Sequence, residues 1–182
     1  MNEVEIKPCA GDPVANPEIV SSGSSGKKGG TFGCTRTANT TCGGVYGKKN
    51  HDGLDIKADV NKSVFAMYSG TISSIRNTFS PGEYKKDSYG NFVVITTVIN
   101  GVTRNIKYNH LNNVSVTQGP INVGDIIGLT GNTGNANPPV GTVIPHIHLQ
   151  VFNSNWSQSL DPETFLKTKF DSNHNAIPNN CQ

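Results

Sequence analysis

The chain has 182 residues, of which 34% are hydrophobic and 15% charged, and it contains 20 glycines and 10 prolines. This composition suits one domain and excludes a helical bundle or coiled coil, which needs abundant alanine, leucine, lysine and glutamate. The net charge of +2 excludes a nucleic-acid binder driven by bulk charge, and no run approaches the roughly 18 apolar residues of a membrane span.

The first 30 residues combine three prolines with a stretch of serine and glycine over 21–26. Such a segment has little apolar area to bury, so we predict a flexible tail or linker over residues 1–30. A second polar tail is predicted over 171–182, which leaves a domain over 31–170. The acidic N-terminus has no apolar run after it and does not have the pattern of a signal peptide.

Four cysteines favour an oxidising environment, and we therefore expect a protein that is secreted or lies in the periplasm or cell envelope. Three pairings are possible. The short polar loop between Cys34 and Cys42 favours a disulfide there, and Cys9 and Cys181 could join the two ends of the chain. Zinc binding by cysteine is the alternative, but no two cysteines are separated by two residues.

Between the predicted tails, short apolar runs separated by glycine, asparagine and proline predict β-strands. Asn100 and Gly101 lie between the runs 91–99 and 102–109 and predict a hairpin, because both residues tolerate the positive φ of a two-residue turn. Further strands are predicted over 63–67, 70–75, 125–130 and 146–152, and a helical turn over 161–167. The sequence therefore predicts an all-β fold of antiparallel sheets.

Four of the five histidines lie in three short segments, which are His51-x₃-Asp55, Tyr108-x-His110 and His146-x-His148. In a strand, residues i and i+2 point to the same face, so His146 and His148 would lie side by side while Ile147 faces the core. Two such imidazoles suit a metal, or one ligand beside one catalytic base. The alternative is two surface histidines with unrelated roles.

His51 and Asp55 also carry side chains that bind zinc, although this pair alone is better explained as a polar loop before a strand. With one strand histidine they would complete three protein ligands, the number typical of catalytic zinc, whereas structural sites use four. His110 is not needed for that set, and we predict that it orients water or stabilises charge beside the metal. His174, in the polar tail, is assigned no function.

These segments resemble the three signatures of the M23 metallopeptidases, the lysostaphin/LytM-like endopeptidases of bacterial cell walls. The likeness covers residues 31–167 in the family's order. Its other matching segments are 31–33 with Arg36, 53–56, 64–66, 70–72, 90–91, 119–128 and 130–134. The chain departs from the family by an extra residue in 32–36, by Asn61 where glycine is usual, and by a long loop over 134–145.

The resemblance implies that His51, Asp55 and His148 bind zinc, that His146 is the general base, and that His110 assists at the water and the developing oxyanion. It implies a two-layer antiparallel β-sheet domain with long loops around a zinc groove and one short C-terminal helix. The implied activity is that of a zinc metalloendopeptidase, which hydrolyses peptide cross-links or bridges of peptidoglycan with zinc-bound water as nucleophile. Tyr46 is a candidate for a tyrosine that some members place above the metal.

Two other functions fit the same pattern. One is a non-catalytic wall-binding or activator module, which would tolerate loss of His110 or His146; both are present. The other is a peptidase of the same family that acts on glycine-rich proteins. We expect peptidoglycan peptides as partners, no nucleic acid, a monomer, and an immunity or delivery protein if the chain is part of a secreted antibacterial toxin.

Overall fold

A computed structural model describes residues 6–136, 144–179 and 181 of the chain. Almost all of the regular structure in these residues is β-strand. The strands are β1 Glu18–Ile19, β2 Gly33–Cys42, β3 Val45–His51, β4 Leu54–Lys57, β5 Ser63–Phe65, β6 Gly70–Arg76, β7 Asn91–Ile99, β8 Val102–Leu111, β9 Asn113–Val114, β10 Gly119–Ile121, β11 Ile126–Leu129, β12 His146–Asn153 and β13 Ser159–Leu160. The 3-10 helices are Gly23–Ser25, Lys27–Gly30 and Pro162–Phe165. None of the described helices is long and apolar enough to cross a membrane.

The strands form one large sheet, one small sheet and one separate hairpin. The large sheet has the order β1-β4-β12-β8-β7-β6-β10, with β13 paired to β12. The small sheet has the order β5-β11-β9, and β2 pairs with β3. Neighbouring strands are antiparallel. The predicted all-β antiparallel fold is confirmed, and its helical turn at the C-terminal end is the helix that Asp161 caps.

The β7–β8 hairpin has the turn that its sequence predicts. Ile99 pairs with Val102, and the two residues between them have positive φ, 50° at Asn100 and 76° at Gly101. This turn matches the twist of the two strands, and it fixes which residues of β8 face the core.

Strand β12 alternates as its sequence predicts. Ile147, Leu149 and Val151 have no exposed surface, and they pack in an apolar cluster with residues of the neighbouring strands. Val64 and Ile127 of the small sheet belong to the same cluster, so the two sheets share one core. The other face of β12 is left for the histidines.

Residues 6–30 pack against the rest of the domain, whereas the sequence predicts a flexible tail over residues 1–30. Strand β1 pairs with the edge of β4, and the backbone N–H of Val20 donates to Asp55 O over 3.0 Å. Val14 and Ile19 are 5% and 2% exposed and belong to the core cluster. The polar composition of the segment does not predict these contacts, because they depend on a few apolar residues such as Val14 and Ile19.

Replacing Ile19 with alanine is expected to lower the free energy of unfolding by about 2–5 kcal/mol, the cost of removing a buried side chain. Ile6 is 61% exposed, and Ile6→Ala is the matched control with little expected effect. Chemical denaturation measures both. Equal stability of the two variants would show that residues 6–30 behave as a tail in solution.

The disulfide that the sequence favours joins Cys34 and Cys42 in the structure. Both cysteines belong to β2, whose pairing with β3 is irregular between Thr37 and Thr41, and the bond closes that irregular part. Cys9 and Cys181 carry free thiols, and the Cys9 thiol donates to Asn179 Oδ1 over 3.1 Å.

Candidate metal centre

Three of the predicted site residues converge on one point. His51 ends β3, and Asp55 on β4 lies opposite His148 on β12, so the two side chains share a face of the sheet. His148 Nδ1 lies 2.8 Å from Asp55 Oδ1 and 3.1 Å from His51 Nε2, and His51 Nε2 lies 3.2 Å from the same carboxylate oxygen. All three residues are buried and could hold a metal ion together.

An oxygen atom on the far side of each imidazole indicates which nitrogen faces this point. His51 Nδ1 lies 2.9 Å from Thr31 O. A carbonyl oxygen can only accept, so Nδ1 carries the proton and Nε2 presents its lone pair to the centre. His148 faces the centre with Nδ1, while its Nε2 lies 3.3 Å from Asp52 Oδ1. Two nitrogens and a carboxylate oxygen form a donor set that fits zinc.

Burial and charge pull in opposite directions at the centre. Burial favours the neutral form of Asp55, but the surrounding imidazoles of His146, His148 and His51 outweigh burial and hold its pKa well below 3.8. Burial also disfavours a charged His148, yet the carboxylates of Asp52 and Asp55 raise its pKa above 6.5. Asp55 is therefore ionised and offers a carboxylate oxygen that can bind a cation.

Gly53 allows His148 to reach this position. A Cβ atom at Gly53 would lie 2.6 Å from His148 Cε1 and 2.5 Å from Leu149 O, closer than real Cβ contacts. The reason is the close approach of β12, since Gly53 does not have a left-handed backbone.

Gly53→Ala is therefore expected to displace the His148 ring, with a cost of about 1–3 kcal/mol in stability and a measurable loss of zinc affinity. Gly44→Ala is the control, because Gly44 has a φ of +79° but no atom within 4 Å of an added Cβ. It should lower stability without changing zinc affinity. Calorimetric zinc titration together with thermal unfolding separates the two effects, and equal zinc affinity in both variants would contradict the assignment.

His110 and His146 lie beside the three converging residues. Their ring centroids are 5.1 Å apart, and His146 Nε2 lies 3.7 Å from Asp55 Oδ1. His146 Nδ1 is 2.8 Å from Ile144 O, and His110 Nδ1 is 2.8 Å from Thr133 O. Each Nδ1 therefore carries a proton that it donates to a carbonyl, and each Nε2 is left as an acceptor.

The two histidines differ in basicity. Burial lowers the pKa of His146 below 6.5, but the Asp55 carboxylate opposes that shift. Burial and the charges of His146 and His148 hold the pKa of His110 well below 6.5. His146 is therefore the stronger proton acceptor of the two.

A β-bulge brings His110 to the face of the large sheet that carries Asp55 and His148. Regular alternation would place it with Tyr108 on the core side of β8. Between the pairs Val93–Tyr108 and Asn91–Leu111, strand β8 has one residue more than β7, and His110 has a φ of 64°. The bulge turns the imidazole towards His146 and His148, whose ring centroids lie 5.1 and 5.9 Å from its own.

Sequence reasoning did not assign Arg36 a role at the centre, yet its guanidinium touches two of the converging residues. Arg36 Nη2 contacts Asp55 Oδ2 and lies 3.0 Å from His51 Nε2, and its Nε donates to Gly29 O. The resemblance pointed to Arg36 only as part of the segment that opens the domain.

Tyr46 does not lie above the centre. Its side chain is 71% exposed and its hydroxyl bonds to Asn39. The tyrosine that lies beside the centre is Tyr89, whose ring is parallel to that of His148 at a centroid distance of 5.2 Å. The only sequence signal for Tyr89 is its position directly before the Gly90-Asn91 turn.

The centre lies in an open cleft of about 610 Å³. One side of the lining comes from the chain around Val20–Gly23, and Lys49, Tyr89 and Asn135 lie elsewhere along it. All five predicted site residues line this cleft.

Comparison with known proteins points to one family. The sequence profile described as Peptidase family M23 matches residues 49–162. No curated protein matches the chain by sequence. The chain is similar to the catalytic domain of the antimicrobial peptidase lysostaphin from Staphylococcus simulans, with 27% identity and a TM-score of 0.54 over 76% of this chain and 90% of that one.

Two further solved structures share the fold. One is the catalytic domain of a mutant of the prophage-encoded M23 protein EnpA from Enterococcus faecalis, with 21% identity and a TM-score of 0.51 over 74% of this chain and 91% of that one. The other is a zinc containing peptidase from Vibrio cholerae, with 23% identity and a TM-score of 0.55. The likeness to the second covers 84% of this chain but 38% of that chain.

Proposed function

The chain belongs to peptidase family M23, and on that premise we propose that it is a zinc metalloendopeptidase that hydrolyses peptide cross-links or bridges of bacterial peptidoglycan. The observation that carries the proposal is the convergence of His51 Nε2, His148 Nδ1 and Asp55 Oδ1 within 3.2 Å of one another. Two imidazole nitrogens and a carboxylate oxygen that converge on one point are a donor set that zinc binds.

These three residues are the proposed zinc ligands. Their number leaves an open position, which distinguishes a catalytic zinc site from a structural one. Zinc held there would polarise the scissile carbonyl and lower the pKa of a water molecule towards neutrality. The carboxylate of Asp55 offsets one of the two positive charges and tempers that effect.

His146 is the proposed general base. Its Nε2 is an acceptor that faces the ligands, its Nδ1 is anchored on Ile144 O, and its pKa is the less depressed of the two histidines. It takes a proton from the attacking water at Nε2. The imidazolium then returns that proton to the leaving amine.

His110 is proposed to assist on the opposite side of the same water. Its neutral form presents an acceptor at Nε2, because Thr133 O holds the proton on Nδ1. In this neutral form it orients the water by accepting a hydrogen bond at Nε2, whereas donation to the developing oxyanion would need the protonated imidazolium.

The Cys34–Cys42 disulfide supports a site of action outside the reducing cytoplasm, in the cell wall where the proposed substrate lies. The likeness to the antimicrobial peptidase lysostaphin favours a wall substrate over a glycine-rich protein.

Incubation of purified sacculi with the protein, followed by mass analysis of the soluble products, tests the proposal. We expect new peptide termini in the muropeptides, and their masses identify the bond cut. The metal chelator 1,10-phenanthroline should stop the reaction, whereas the non-chelating 1,7 isomer should not, and added zinc should restore it. Binding of sacculi without cleavage would indicate a non-catalytic wall-binding module. Cleavage of glycine-rich proteins without cleavage of sacculi would indicate a peptidase that acts on such proteins.

A further inference from the structure

The structure assigns a positioning role to Asp52, a residue outside the proposed ligand set. We infer that its carboxylate holds the His148 imidazole in the tautomer and orientation that present Nδ1 to the metal. The inference rests on the proposed zinc site, and it concerns how this chain builds that site.

The two nitrogens of His148 face different carboxylates. Nδ1 points to Asp55 Oδ1 at 2.8 Å, on the side of the ligands. Nε2 is buried and makes no well-aligned hydrogen bond among the described residues, and the polar atom it faces is Asp52 Oδ1 at 3.3 Å. A neutral imidazole carries one proton, so a proton directed to Asp52 leaves the Nδ1 lone pair free for a metal.

Asp52 is itself held in place by two donors. Its Oδ2 accepts from the Tyr89 hydroxyl and from Gln150 Nε2, each at 2.8 Å. Gln150 is buried on β12, and its Oε1 accepts from Asn109 Nδ2 over 3.0 Å. These bonds use the second carboxylate oxygen, so the first stays directed at His148.

Contacts on both sides restrict how the imidazole can move. Tyr89 stacks on it with an interplanar angle of 7°, and Gly53 leaves no room for a Cβ atom against Cε1. The movement left is a half-turn about the Cβ–Cγ bond, which would exchange Nδ1 with Cδ2 and Nε2 with Cε1. The Asp52 carboxylate opposes that half-turn, because it would then face a carbon atom in place of the Nε2 proton.

Asp52→Asn is the variant that tests the inference. Asparagine has the same shape, but it cannot accept from His148 with one atom and from Tyr89 and Gln150 with the other, since its amide nitrogen is a donor. We expect zinc to bind this variant about 10–100-fold more weakly, the usual effect of losing such a partner. Competition with a chromophoric chelator measures the affinity without any substrate.

Two further variants separate orientation from charge and from folding. Asp59→Asn removes the same charge at an exposed position and should leave zinc affinity unchanged. Tyr89→Phe keeps the charge and the stacked ring but removes one donor to Asp52, and should weaken zinc binding by a smaller factor. If Asp52→Asn does not fold, the Tyr89→Phe result decides.

The tautomer can be observed directly in the zinc-loaded protein. Nitrogen-15 NMR should show a slowly exchanging proton on His148 Nε2, and that proton should exchange faster in Asp52→Asn. Wild-type affinity and unchanged proton exchange in this variant would overturn the inference while the zinc site stands. A wild-type protein that binds no zinc would instead overturn the proposed function.

Discussion

Replacing His148 with alanine is expected to abolish zinc binding and peptidase activity together. His148 supplies one of three proposed ligands, and its loss leaves His51 and Asp55, two protein ligands that cannot form a catalytic zinc site. The loss of affinity should exceed the roughly 10–100-fold that removal of an outer hydrogen-bond partner costs. Elemental analysis of dialysed protein and assay on sacculi measure the two losses.

His174→Ala is the matched control for that experiment. His174 does not line the cleft, and its backbone N–H bonds to Asp171 O near the C-terminus. The control should keep both zinc and activity. If His146→Ala rather than His148→Ala empties the site, the roles within the His-x-His pair are reversed.

Replacing His146 with alanine is expected to lower kcat by roughly 10²–10⁴-fold while zinc stays bound. The reason is that His146 faces the ligands through an acceptor nitrogen but is not one of the three converging groups. His110→Ala should also keep zinc and lose activity. Parallel measurement of zinc content and turnover separates both variants from His148→Ala, and loss of zinc from either would contradict its assigned role.

The protonation of His146 is expected to determine how kcat/KM changes with pH. A general base acts in its unprotonated form, and burial lowers the pKa of His146 below 6.5. A bound cation lowers it further. Activity should therefore persist below pH 6.5 and fall only as the pH drops through this lowered pKa. An acid limb centred well above pH 6.5 would show that another group is the base.

Some features were predictable because a short stretch of sequence determines them. The turn at Asn100-Gly101 depends on the backbone freedom of two residues, and the burial of Ile147 and Leu149 depends on the alternation of a strand. The resemblance to the M23 metallopeptidases, carried by the spacing of the histidine motifs, is confirmed by the family match over 49–162. The pairing of Cys34 with Cys42 likewise followed from the short loop between them.

Other features depend on contacts between residues far apart in the chain. Residues 6–30 look like a tail by composition, yet Ile19 is buried because β1 meets the edge of β4. A local pattern of polar residues does not report such a contact.

The sequence by itself determined the fold class, the family, and the residue types at His51, Asp55, His110, His146 and His148, because periodicity and motif spacing are local properties of a chain. Only the tertiary structure decided how those side chains are oriented. A bulge in β8 turns His110 out of the core, and Thr31 O and Asp52 select the nitrogens that His51 and His148 present. A ligand's orientation is set by the groups behind it, and these come from other strands and loops, which only folding brings together.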